Sequence, residues 1–201
     1  KVLIIGGRRA LNAAEDKIRA YVAKTNLEII GTKIYGTDCT YATVEKLREL
    51  PEYEEADMVF GVGGGKALDT VKCLCITDDK PVFAFPTIAS NCAPVTQISI
   101  IYNADGSFRE IPRLNRVPEH CFLDPRIILA APVRYFRAGI GDATAKHVES
   151  AWSAKAGEPL SFASETGIVT SSAIFLPPTC TYSASGLKRL PLQTGQVVFP
   201  R

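Results

Sequence analysis

The stretch Val59-Phe-Gly-Val-Gly-Gly-Gly-Lys-Ala-Leu-Asp69 sets an apolar run, a block of glycines and a helix-forming run end to end. That order predicts a strand, a tight loop and a helix with nothing between them. Gly61, Gly63, Gly64 and Gly65 remove every Cβ where the backbone must bend and where a ligand can come close. The helix from Lys66 then offers its first free N–H groups to that ligand, an arrangement that suits a diphosphate. A tight turn that needs glycine only for its own φ angles is the plainer alternative.

The surrounding segments bear on that choice. Lys1–Gly7 reads as a short buried strand that opens in the middle of a strand-helix series, so an N-terminal part is expected to be missing. Leu11, Ala14, Ile18, Tyr21 and Val22 recur at helical spacing between Ala10 and Lys24. Leu27–Tyr35 reads as a strand, Thr43–Leu50 as a helix, Ala56–Phe60 as the strand feeding the glycines and Lys66–Ile76 as the helix after them. Pro81–Phe85 is an all-apolar strand, as expected where both faces of a parallel sheet are covered. The alternation predicts an α/β fold with an open, doubly wound, Rossmann-like parallel sheet. In such sheets ligands collect at the carboxyl ends of the strands, where Gly61–Gly65 and Pro86–Pro94 should converge.

Further on, Ile98–Tyr102 and Ser107–Ile111 predict a β-hairpin around Asp105-Gly106. Cys121–Leu129 reads as a strand bent at Asp124-Pro125, and Pro132–Arg137 as a connector or helical turn. From Gly139 the composition changes, and Ala143–Ala154 and Leu160–Phe175 favour helices. Residues 1–138 are therefore expected to form an α/β nucleotide-binding domain and residues 139–201 the beginning of an all-helical one. Thr179–Arg201 shows no clear periodicity except at Gln196–Phe199 and reads as an incomplete or divergent tail.

Composition narrows the function classes. A net charge of +2, with no clustered basic stripe beyond Arg8-Arg9 and Lys188-Arg189, argues against a nucleic-acid partner. No apolar run reaches the roughly 18 residues of a membrane span and no signal peptide opens the chain, so a cytoplasmic protein is expected. The six cysteines include no CxxC pair and no histidine at zinc-site spacing, which makes reduced thiols the default.

Three motifs together resemble the glycerol dehydrogenase branch of the iron-containing alcohol dehydrogenase superfamily. Gly61–Asp69 is similar to its phosphate loop. Phe85–Ser90, with Ala93-Pro94 and Ser99–Tyr102, is similar to its nicotinamide-side segment. Ala138-Gly-Ile-Gly-Asp-Ala143 is similar to its metal-ligand turn. The resemblance covers Lys1 to about Phe175. It implies hydride transfer between NAD or NADP and a small alcohol or carbonyl compound, with one divalent metal, zinc or iron, as Lewis acid, in a homo-oligomer. It assigns cofactor contacts to Gly63, Gly64, Gly65, Lys66, Asp69, Thr87, Ser90, Thr96, Ile98 and Tyr102, and a metal ligand to Asp142. Each has a plain alternative: helix-start charge for Asp69, loop or strand packing for the others, and a helix N-cap for Asp142.

The sequence departs from the family pattern in two places and leaves the choice of cofactor open. Two histidines should complete the metal site, yet the chain has only His120 and His147, and His147 lies five residues after Asp142 rather than four. One carboxylate does not hold a catalytic metal, which needs about three protein ligands. Cys92 stands where the family pattern carries a polyol-binding aspartate, which shifts the expectation from glycerol towards a less polar alcohol, aldehyde or hydroxyketone. After Ile5 the chain reads Gly6-Gly7-Arg8-Arg9 with no acid, which opens the choice of NADP, with a solvated helix-start residue as the equal alternative for Arg8. The competing readings are a nucleotide-binding module or fragment without catalysis, and the dehydroquinate synthase chemistry of a related fold, which the Ile88–Pro94 segment fits less well.

Overall fold

Five parallel strands form the centre of the computed structural model, which describes residues 1–152, 159–172, 180–183 and 186–189. The first strand, β1 (Val2–Gly6), is buried along its whole length. The pleat sends Leu3 and Ile5 into one apolar cluster and Val2 and Ile4 into another, so helices must cover both faces. On one face lies α1 (Arg8–Val22), contributing Leu11, Ala14, Ile18 and Val22. On the other lie α2 (Tyr41–Arg48), α3 (Pro51–Glu55) and α4 (Gly65–Thr77). The Thr40 hydroxyl caps α2 by accepting from the Thr43 N–H.

The sheet order is β2 (Ile29–Ile34), β1, β3 (Met58–Gly63), β4 (Val82–Pro86), β7 (His120–Cys121), all parallel. The chain winds outward from β1 to β2, then returns past β1 to β3 and continues the other way. The gap between the carboxyl ends of β1 and β3 is therefore the topological switch point. The expected hairpin is present as β5 (Ile101–Tyr102) and β6 (Phe108–Glu110), turning at Gly106 with φ +83°.

Four expectations change. Residues 121–129 do not continue as a strand: β7 stops at Cys121 and α5 (Pro125–Ala130) follows, because the Asp124 carboxylate accepts from the Arg126 N–H at 2.9 Å and Pro125 presets the first helical φ. His120, which the sequence reads as a residue of a polar loop, lies instead in β7, its ring 5.7 Å from that of Phe83. No turn separates Pro132–Arg137 from the helical region, since α6 (Val133–Trp152) runs unbroken through Gly139 and Gly141. Asp142 is thus inside a helix and caps nothing. Finally, residues 180–183 and 186–189 pair as an antiparallel hairpin, β8 and β9, where no periodicity was expected.

The chain divides into two units, Lys1–Gly139 and Ile140–Arg201, with the division inside α6. In the second unit α7 (Phe162–Ser172) approaches α6 closely: a Cβ on Gly167 would stand 2.6 Å from the Ser150 hydroxyl. The Gln196–Phe199 run lies outside the described residues.

Candidate functional site

The glycine stretch divides its labour residue by residue. Gly61 and Gly63 belong to β3 itself. A Cβ on Gly61 would press at 3.2 Å on Leu68 and Val71, so this glycine lets α4 pack on the sheet. Gly63 has φ +152°, and its Cβ would fall 2.8 Å from that of Ala67. Gly64 is the N-cap of α4 and has no side chain to cap with, so the amides of the first helical turn carry no side-chain partner.

The loop after β4 leans on this turn. Ile88 sits where a Gly64 side chain would be and Asn91 where a Gly65 side chain would be, at 2.6 and 2.5 Å from the respective Cβ positions. The Thr87 N–H donates to the Gly63 carbonyl at 3.1 Å. On the other side of the switch point, the Gly7 N–H donates to the Val62 carbonyl at 3.2 Å and the Tyr35 N–H to the Gly6 carbonyl at 3.1 Å. A Cβ on Gly6 would lie 2.5 Å from the Val62 carbonyl oxygen, so only glycine allows β1 and β3 to end this close together.

Above these strand ends lies a cleft of about 860 Å³. Gly63, Gly64, Gly65, Lys66 and Thr87 line it, as the sequence motifs suggested, together with Gly7–Ala10, Tyr35–Thr37 and parts of α5 and α6. The Tyr35–Thr37 wall was not anticipated. The end of β2 was available as a signal, because every parallel strand in this sheet finishes at the same edge.

Lys66 does not reach freely into the cleft: its ammonium pairs with Asp38 and lies 5.3 Å from the ring centre of Tyr102. Asp69 faces away into the core, where it is buried beside the fully buried Lys72 at 2.9 Å. This pair is a clamp. Lys72 Nζ donates to the Ile98 carbonyl at 2.5 Å and to the carbonyl and hydroxyl of Thr96 at 3.3 and 3.2 Å. Asp69 accepts from the Ile100 N–H, and its own carbonyl accepts from the Ser99 hydroxyl. Burial pushes the Asp69 carboxyl up from its usual range, against the pull of Lys72. Thr96 and Ile98 thus reach the site through this clamp rather than by lining the cleft. Lys72 escaped the sequence reading, although its place three residues after Asp69 on one helix was a usable sign.

Ser90 is half-buried and Cys92 exposed, in the loop after β4. Gly139 on α6 touches this loop so tightly that a Cβ there would fall 1.8 Å from the Ala89 carbonyl oxygen. In the second unit, Asp142 is half-buried on α6. Among the described residues no three of His, Cys, Asp and Glu come together as a metal site. The described donors therefore do not fit a bound metal, for which about three ligands are required.

A parallel sheet of this order, with glycine-floored amides at its switch point, defines a Rossmann-like α/β protein, a class whose ligands collect at the strand ends. More narrowly, the chain belongs to the iron-containing alcohol dehydrogenase family, whose sequence pattern matches residues 1–125. It is 39% identical over 150 residues to a glycerol dehydrogenase of Thermotoga maritima, covering 72% of this chain and 41% of that protein. It is 34% identical over 201 residues to a glycerol dehydrogenase of Pseudomonas putida, covering 98% of this chain and 54% of that one. The crystal structure of glycerol dehydrogenase from Schizosaccharomyces pombe superposes with a TM-score of 0.66 at 30% identity, over 75% of this chain and 38% of the other. The chain thus spans about half or less of the length of these relatives.

Proposed function

We propose that Lys1–Gly139 is the nucleotide-binding domain of an oxidoreductase that passes hydride between a nicotinamide dinucleotide and a small alcohol or carbonyl compound. The observation that carries this reading is the cleft at the β1/β3 switch point, floored by uncapped amides of α4 and lined by no carboxylate. The N–H groups of Gly65, Lys66 and Ala67 would hold the pyrophosphate, assisted by the positive end of the α4 dipole. The bound dinucleotide would supply the hydride acceptor. The chain's own part is to fix position. The clamp of Asp69 and Lys72 holds Thr96–Ile100 against α4, and Thr87, Ile88 and Asn91 hold the following loop against the glycines. Ser90 and Cys92, in that same loop, stand ready to meet the substrate end of the dinucleotide.

The family name and the sequence likeness of the segment around Asp142 support a divalent metal in the whole protein. Among the described residues Asp142 is the one candidate ligand, with no cluster of three donors around it. A homo-oligomer is proposed on the same likeness.

Calorimetric titration of the chain with NAD⁺ and NADP⁺ tests the reading. Saturable binding of at least one is expected, weakened in Gly65→Val, whose side chain would push Asn91 off the floor of the cleft. Absence of binding by either dinucleotide to the folded chain would overturn it.

A further inference from the structure

NAD and NADP differ by one phosphate on the adenosine ribose, and a protein separates them by what it places at the strand ends. A carboxylate accepts the ribose hydroxyls of the first, whereas an arginine receives the extra phosphate of the second. The charges lining the cleft can be followed one by one. None is acidic. Of the cations, Lys66 is held by Asp38, while Lys17 and Arg126 share Asp124 at 3.7 and 3.0 Å. Arg8 and Arg9 remain, exposed on the first turn of α1, with no carboxylate partner among the described residues. Asp38, the acid that follows β2, is engaged by Lys66 and does not line the cleft.

We infer that the cleft selects the 2′-phosphorylated dinucleotide, NADP, and that Arg8 and Arg9 are the residues that make the choice. The inference rests on the proposed reading of the cleft as a nicotinamide dinucleotide site. Three features support it independently of one another. Two guanidiniums with no carboxylate partner among the described residues occupy successive positions of the first turn of α1, and each can form a charge-assisted, forked contact with phosphate. They sit at the uncapped start of α1, whose dipole adds to the attraction for an anion. Gly7, at the end of β1, leaves that position without any acceptor for ribose hydroxyls. Its backbone at φ −79° and ψ 144° suits any residue, and a Cβ there would meet Tyr35 only at an ordinary 3.5 Å. The missing acid is therefore not a steric necessity.

The test is a calorimetric titration of the full chain with NADP⁺, NAD⁺, adenosine 2′,5′-bisphosphate and AMP. The 2′-phosphorylated member of each pair should bind at least about tenfold tighter, the scale of one hydrogen-bonded charge contact. In the double variant Arg8→Ala/Arg9→Ala that preference should vanish, with the fold retained by circular dichroism. Gly7→Asp should reverse it towards NAD⁺, while helix α1, now capped, melts no lower than before. Equal or tighter binding of NAD⁺ and AMP to the unaltered chain would overturn the inference and leave the dinucleotide site standing. So would an unchanged preference in the double arginine variant. Failure of both dinucleotides to bind would remove the cofactor reading and this inference together.

Discussion

Helices α4 and α6 are written in similar letters and used in opposite ways. Each pairs glycines with a nearby aspartate: Gly63-Gly64-Gly65 with Asp69, and Gly139 and Gly141 with Asp142. In α4 every residue from Ala67 to Ile76 is buried, and the aspartate is locked to a lysine in the core. In α6 no residue is buried, and Val133 and Trp152 remain 60% and 86% exposed. In the first case the glycines let the chain leave a strand and start a helix; in the second they lie within one helix, where Gly139 admits a neighbouring carbonyl. A glycine motif therefore reports close approach, and its neighbours decide what approaches.

The largest expected effect breaks the buried side of this contrast. Lys72→Met leaves the Asp69 carboxylate without its partner and frees Thr96–Ile100 from α4, for a loss of about 3–5 kcal/mol in urea unfolding. Asp69→Asn should cost less. The double variant Asp69→Asn/Lys72→Met should lose less than the sum of the two, because the pair acts as a unit.

Gly139→Ala comes next, at about 3 kcal/mol, since the Ala89 carbonyl is backbone and cannot swing away. Two residues on, Gly141→Ala meets open space and should stabilise α6 by about 0.5–1 kcal/mol. Equal effects at the two positions would erase the distinction drawn between them. Gly63→Ala, with its positive φ and the Ala67 contact, should cost about 2 kcal/mol.

The smallest effect contrasts two carboxylates by pH. Burial raises the Asp69 carboxyl above its ordinary 3.8, so its stabilising share is full below that value and fades as pH rises through the folded one. Asp124, drawn down to about 2 by Arg126, contributes above 3.8 and fades as pH falls towards about 2. Under acid titration the deficit of Asp69→Asn should grow and that of Asp124→Asn should shrink. Parallel trends in the denaturation midpoints would contradict the assignment.

The sheet and the glycine loop were legible because their signals are local: β-branched runs of strand length, helical spacing from Leu11 to Val22, and glycines between them. The clamp was less legible, because Lys72 looks like any helix-surface lysine until Thr96 and Ile98 are folded over it. Asp124-Pro125 was misread as a bend because Asp-Pro serves a turn and a helix start equally well, and only the Arg126 N–H settled which. The helix through Gly139 was hidden for a related reason: propensity speaks against two glycines in a helix, and the contact with Ala89 that accounts for one of them lies 50 residues away.

The backbone rungs Tyr35 to Gly6, Gly7 to Val62 and Thr87 to Gly63 carry the sheet's lacing past the point where the strands formally stop. Whatever settles on that edge meets a platform that is already stiff, so capture need not wait for the chain to organise itself. In hydrogen exchange these three amides should therefore be slow with or without a guest, while the neighbouring amides at the start of α4 should slow only when one is present.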